Sequence, residues 1–360
     1  MQKNRQQLSF SAIALSKRKL KSQFFDQMNV LLEWNSIEQE ILRYYSKGFS
    51  VDGRPSYSGL LLFKMSLLQT WYGLSDYEVE EKVNDSLSFM QFVGLTIEDD
   101  VPDHSVLSRF RTELTKKNAY EKLMNLINKQ LEEKGILLKK GAIVDASITD
   151  SPRKPRGKKE YEIVEDRKEE EATSQSEASK EATLKPVIVK TQSHVDPQAA
   201  WIKKAGKLRY GYKKHVATDE QGLVRAIITT SANESDMNHL EDVVAKAGLE
   251  KGSRVRADKG YSSKDNRKYL KEKGLKDGIM HKALKNKPLT SHQTLFNKIV
   301  SKVRYKVERT FGSITRWFKA SIARYVGRAK THTQHLMEAI AYNLYRSPGI
   351  VMSNANILAK

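Results

Sequence analysis

The sequence contains no cysteine, which excludes disulfides, thiolate nucleophiles and any zinc site built on sulfur. It also lacks any run of about 20 apolar residues, so it predicts no membrane-spanning helix. The N-terminal stretch MQKNRQQLSFSAIALSKRKLKSQ has a short apolar run flanked by charge, without the apolar core and small-residue cleavage site of a secretory leader. The chain therefore reads as cytoplasmic. No period of about 20 to 50 residues repeats, which argues against a solenoid. Acid is scarce relative to base: 43 Asp and Glu face 63 Lys and Arg, a formal net charge of +20. That excess goes beyond what solubility asks for and points to a polyanionic partner. With no basic amphipathic membrane anchor, nucleic acid fits best.

The 360 residues, 39% hydrophobic, can fill one large domain with a helical appendage or two modest domains. From Leu31 to about Gly135, apolar residues return at three- and four-residue intervals through LLEWNSIEQEILRYY, SGLLLFKMSLLQTWYGLSDYEVEEKV and SVLSRFRTELTKKNAYEKLMNLINKQLEEKG. This predicts at least three amphipathic helices. In PDHS, Asp103 or Ser105 can cap one of them. At Lys139 the texture changes to KKGAIVDASITD, a β-branched run that predicts a central strand emerging at Asp145. Residues 152 to about 186 are dense in charge and small polar residues and read as a flexible insertion or a solvated helix.

Beyond the insertion, KLRYGYKKHVATDEQGLVRAIITTSAN reads as a hairpin around DEQG. There follow a helix in MNHLEDVVAKAGL, a strand in GSRVRADKGYS ending at Asp258, a helix in KDNRKYLKEKGL and a short strand near DGIMHKA. A long basic helix from about Gln293 to Phe318 and a last helix in THTQHLMEAIAYNLYR complete the pattern. Interleaved strands and helices after Lys139 predict an α/β (α+β mixed) core, with helices packed on a mixed sheet.

Asp145 and Asp258 each sit at the end of an apolar β run, in IVDAS and VRADKGY. A carboxylate at the lip of a buried sheet needs water, a basic partner or a cation, although either residue alone could simply cap a turn. Glu308 is the only acid between residues 298 and 330, a stretch otherwise crowded with Lys and Arg, and Arg304 precedes it by one helical turn. A surface ion pair between these two is the ordinary alternative. Together the three carboxylates suit Mg²⁺, which prefers oxygen ligands. Two ions would serve phosphoryl transfer, one activating the attacking water or 3′-hydroxyl and the other stabilising the leaving oxygen.

These residues resemble the DDE transposases of bacterial insertion sequences, most closely the group called insertion-sequence family five. The resemblance runs across nearly the whole chain: PSYSGLLLFKMSLLQTWYGLSDYEVEEKV and PDHSVLSRFR, then IVDAS, HVDPQAAWIKKAGKLRYGYKKHVATD, ITTSANESD, RADKGY and RYKVERTFGSITRWF. It implies a ribonuclease-H-like catalytic domain over residues 136–350, preceded by a helical DNA-end-binding or dimerisation region over residues 1–135. It also implies Asp145, Asp258 and Glu308 as the catalytic, metal-binding triad with Mg²⁺ or Mn²⁺, and Arg304 as a DNA contact near it. Two positions depart from the family pattern. The Tyr placed three residues before the Arg is Ser301, and the basic residue seven after the Glu is Thr315; Arg316 and Lys319 are the nearest substitutes.

Lys259, Arg309, Arg316 and Lys319 are further candidates for phosphate contact, against a plain solvated basic face. His215 and His239 read as packed or hydrogen-bonded residues outside the site. Trp201 and Trp317 are candidates to stack on unpaired bases, with a core role as the alternative. KRKLK at residues 17 to 21 and SRFR at 108 to 111 suit the reading of transposon ends. The expected partners are double-stranded DNA, as terminal inverted repeats and target, and a second copy of the chain in at least a dimer on DNA. A metal-dependent nuclease without strand transfer, and a catalytically silent transposase-derived DNA-binding protein, are the rival readings.

Overall fold

The structure is a computed structural model that describes residues 21–45, 57–156, 161–163, 187–189, 194–283 and 287–358. Its first part is helical: α1 (Lys21–Leu31), α2 (Trp34–Leu42), α3 (Gly59–Tyr72), α4 (Asp76–Asp85), α5 (Leu87–Val93), α6 (His104–Lys116) and α7 (Ala119–Glu133). Local chemistry sets several of these starts. Asp103 accepts hydrogen bonds from the amides of Ser105 and Val106, capping α6, and Ser75 with Glu78 forms a capping box on α4. Helix α3 is buried nearly all round, including Leu62, Phe63, Leu67 and Leu68, and forms the centre of the helical layer.

The second part is a mixed sheet. Strand β1 (Ala142–Asp150) pairs antiparallel with β5 (Lys207–Thr218) and parallel with β7 (Arg254–Ala257), which pairs parallel with β8 (Lys276–Ile279). Strand β5 is long enough to pair with β4 (Ala200–Lys204) along its first half and with β6 (Val224–Ser231) along its second. This order, antiparallel on one side of β1 and parallel on the other, makes the mixed sheet with packed helices that the interleaved pattern after Lys139 predicts. The hairpin turn at DEQG forms as predicted: Asp219 accepts from the amides of Gln221 and Leu223, and Gly222 takes a φ of 86° that side chains disfavour. At Gly211 the backbones of β1 and β5 approach so closely that a Cβ would fall 2.1 Å from the carbonyl oxygen of Thr149.

Helices cover both faces. α8 (Leu240–Ala247) and α9 (Lys264–Glu272) lie on one, packing Val243, Val244 and Leu270 against Val144, Ala217 and Val255. On the other lies the C-terminal helix α11 (Arg328–Leu358), which continues through Pro348 beyond the segment anticipated from periodicity. Its Leu336, Ile340 and Leu344 join Val216, Val224 and Ile227 of the sheet and the buried residues of α3, α6 and α7 in one apolar cluster. The N-terminal helices thus share a core with the sheet. Polar contacts fix this layer: Trp71 donates to the carbonyl of Ala341 at 2.9 Å, and the hydroxyls of Thr115 and Thr333 meet at 2.9 Å.

Helix α10 (Ser291–Phe318) crosses between the layers, started by a Thr290–Gln293 capping box two residues before the predicted boundary. Strands β2 (Tyr161–Ile163) and β3 (Val187–Val189) pair antiparallel within and just beyond the stretch read as an insertion, whose remaining residues from 164 to 186 lie outside the described ones. No helix among the described residues is long and apolar enough to cross a membrane.

Candidate active site

Asp145 is the fourth of nine residues in β1, so the strand does not end there as the apolar run suggested. It continues because Ser147 and Thr149 are paired to β5 like their apolar neighbours, and the Thr149 hydroxyl reaches His335 of α11 at 2.9 Å. Asp258 directly follows β7, the parallel neighbour of β1, and its carboxylate accepts from the Lys259 amide at 2.6 Å. The two aspartates are therefore carried on adjacent strands.

Arg304, on α10, joins them. Its Nη2 donates to Asp145 Oδ2 at 2.7 Å, and its Nη1 lies 3.6 Å from Asp258 Oδ1. The ordinary alternative for this arginine, an ion pair with Glu308 on its own helix, is not formed. Burial pushes the Asp145 carboxyl up from its ordinary range, and the nearby Asp258 charge adds to this, while Arg304 and the Ala146 amide pull it down. Glu308, one turn further along α10, is exposed, and its side chain bonds to no described residue. The structure thus brings Asp145, Asp258 and Arg304 together and leaves Glu308 outside that contact. Among the described residues no three carboxylates or imidazoles are gathered as metal ligands.

The donor chemistry nonetheless fits a hard divalent cation. Two aspartates converge on a single positive group, and a largely buried carboxylate needs such a charge beside it. Tyr261, 2% exposed, packs beside them with its hydroxyl buried and without a hydrogen-bond partner among the described residues. Burial raises its pKa well above the ordinary value, reinforced by the charges of Asp236, Asp145 and Asp258. Sequence reasoning did not single out Tyr261, although RADKGY placed it three residues after Asp258.

The remaining candidates divide. Lys259, Arg309, Arg316 and Lys319 are all exposed. Arg309 lines a groove of about 590 Å³ with Lys306, Trp317, Tyr345 and Arg346. Lys319 caps the end of α10 with a φ of 54° and lays its stem over Gly73, roughly 16 Å of helix rise beyond Glu308. His215 is fully buried and bonded to the Thr230 hydroxyl, and His239 pairs with Glu234 at 3.0 Å. Both are accounted for outside the aspartate contact. Trp201 and Trp317 are 44% and 38% exposed, so neither is a core residue.

Within SRFR, Arg111 is 7% exposed and ion-paired with Asp76, its guanidinium over the Tyr325 ring at 4.6 Å. It is committed to packing, and of that basic cluster Arg109 stays exposed. KRKLK lies outside the described residues except for Lys21.

The chain belongs to the transposase DDE domain family, whose model matches residues 138–344; a second model, a transposase domain called DUF772, matches residues 13–113. It is 38% identical over 241 residues to the transposase for insertion sequence element IS1106 of Neisseria meningitidis serogroup B, covering 66% of this chain and 76% of that one. Among solved structures, a Mos1 transposase paired-end complex with the left transposon end shares 13% identity over 89% of this chain and 87% of that one, with a TM-score of 0.21. A Mos1 mariner paired-end complex with Mn shares 11% identity over 94% and 97%, also at 0.21.

Proposed function

We propose that this transposase cuts DNA at the inverted-repeat ends of its element and joins the freed 3′ ends to target DNA, with Asp145, Asp258 and Glu308 as metal ligands. The observation that carries this reading is the convergence of Asp145 and Asp258, from adjacent strands, on a helix that bears Glu308 one turn beyond Arg304. Mg²⁺ or Mn²⁺, held there, supplies charge neutralisation at the phosphorus and an activated water or 3′-hydroxyl. The chain's own residues bind and orient the strand. Lys259 is beside Asp258, and Arg309 and Arg316 lie along the helix carrying Glu308, where they clamp phosphates on either side of the scissile bond.

In this reading residues 136–350 are catalytic and the helices up to about 135 recognise ends or pair protomers. Two ends must be held at once, so the active species is at least a dimer on DNA. The chain acts on DNA in the cytoplasm.

The test is cleavage and strand transfer on duplexes bearing the element's own ends, with Mg²⁺, for wild type and for Asp145→Asn, Asp258→Asn and Glu308→Gln. The reading holds if all three variants bind DNA and none cuts. Joined products from the wild type distinguish a transposase reaction from simple hydrolysis. Variants that cut like wild type place the chemistry elsewhere.

A further inference from the structure

Resting on the reading of Asp145 and Asp258 as metal ligands, we infer that Arg304 couples metal loading to DNA: it holds the two aspartates until a DNA phosphate draws it away. Three observations carry this. Its guanidinium contacts both carboxylates, at 2.7 and 3.6 Å, on the oxygens a cation would need. Its Nε is buried and has no partner among the described residues, so one donor of the fork remains unsatisfied there. Glu308, one turn away on the same helix, is exposed and has no partner among the described residues.

The energetics make the exchange concerted. Pulling Arg304 out alone would leave Asp145, 19% exposed, as a largely buried and unpaired charge, which is costly. Supplying a divalent cation alone sets two positive groups against each other between the same carboxylates. Supplying both removes each penalty, because the cation takes the aspartates and the phosphate takes the guanidinium, whose planar fork matches phosphate oxygens in a bidentate pair. The DNA-free protein therefore binds metal weakly, and cutting is confined to DNA that has docked against α10. Coupling of this kind is reciprocal, so metal tightens DNA binding by the same factor that DNA tightens metal binding.

The experiment uses the full chain and Mn²⁺ alone as probe, with free Mn²⁺ followed by electron paramagnetic resonance, with and without duplex DNA bearing the element's ends. An Asp145→Asn/Asp258→Asn variant supplies the background from DNA and surface acids. The wild type should bind Mn²⁺ about tenfold more tightly when DNA is present. Arg304→Gln should bind it about tenfold more tightly than wild type without DNA and gain little more when DNA is added. Arg304→Lys, which keeps the charge and loses the fork, should fall between them.

Wild-type affinity indifferent to DNA overturns the coupling while leaving the metal ligands intact, and this arm depends on no variant folding. A folded Arg304→Gln that binds no more tightly than wild type overturns it as well. Mn²⁺ binding equal in wild type and the double aspartate variant overturns the coupling and the ligand assignment together.

Discussion

Lys214 meets Glu338 of α11 at 3.0 Å with both side chains nearly sealed, 4% and 5% exposed, and Gln334 donates to the second carboxylate oxygen. Arg304 meets Asp145 of β1 at 2.7 Å with the side chains 11% and 19% exposed, is shared with Asp258, and keeps Nε unpartnered among the described residues. Both contacts tie a helix to the sheet, yet only the first is closed. A closed pair is a fastening, and its members serve position alone. An open pair with spare donors and a solvent-facing partner keeps free energy available for a ligand.

Four outcomes test that contrast. The largest is catalytic: Asp145→Asn should lose at least about a thousandfold in DNA cleavage while retaining its melting temperature, since Asn keeps the shape and removes a charge that burial disfavours. Comparable cleavage by the variant would make the open pair another fastening. Next is stability at the closed pair. Lys214→Met alone should cost about 3–5 kcal/mol in urea unfolding, because Glu338 is left as a buried lone charge. Lys214→Met/Glu338→Leu should recover most of the loss.

The third outcome concerns pH at the same seam. His335, fully buried between β1, β6 and α11, has its pKa pushed well below 6.5 by burial first and then by the neighbouring Lys214 charge. Below pH 6.5 the unfolded chain takes up a proton that the folded chain refuses. The stability linked to His335 is thus whole above 6.5 and is lost as pH falls through it, by up to about 1.4 kcal/mol per pH unit. A melting profile should show this slope, and His335→Gln should reduce it, leaving the part that the similarly depressed His215 contributes. The smallest effect belongs to the exposed helix face: Arg309→Ala should weaken DNA binding regardless of sequence and lower the salt-dependence slope by about one. An unchanged slope would remove Arg309 from the DNA contact.

Much of this architecture was legible in the residues because its signals are local. Of the two caps expected, Asp103 or Ser105, Asp103 forms the cap, DEQG makes the hairpin turn, and the basic helix begins within two residues of its predicted start. Contacts that depend on distant partners were not legible. Arg111 looked like part of a DNA-facing cluster until Asp76 and Tyr325, far away in sequence, turned it inward. The one-turn ion pair weighed as the alternative for Arg304 and Glu308 does not form, because the guanidinium spans 159 residues to Asp145. The apolar run of β1 closes at Asp145, yet the strand continues through Thr149, whose hydroxyl is satisfied by His335 from the C-terminal helix. Burial of a polar residue is compensated through the fold, and nothing in its immediate neighbours records the compensation.

The long C-terminal helix also bears on how the protein is made. During synthesis α3 and α6 leave the ribosome more than two hundred residues before the Ala341 carbonyl that accepts from Trp71 and the Thr333 hydroxyl that meets Thr115. At about 5–20 residues per second the early helices wait many seconds with part of their apolar surface uncovered, and their core closes only when the last stretch emerges. A ribosome that stalls short of residue 328 should therefore release a sticky, protease-sensitive fragment in place of an independently folded DNA-binding half.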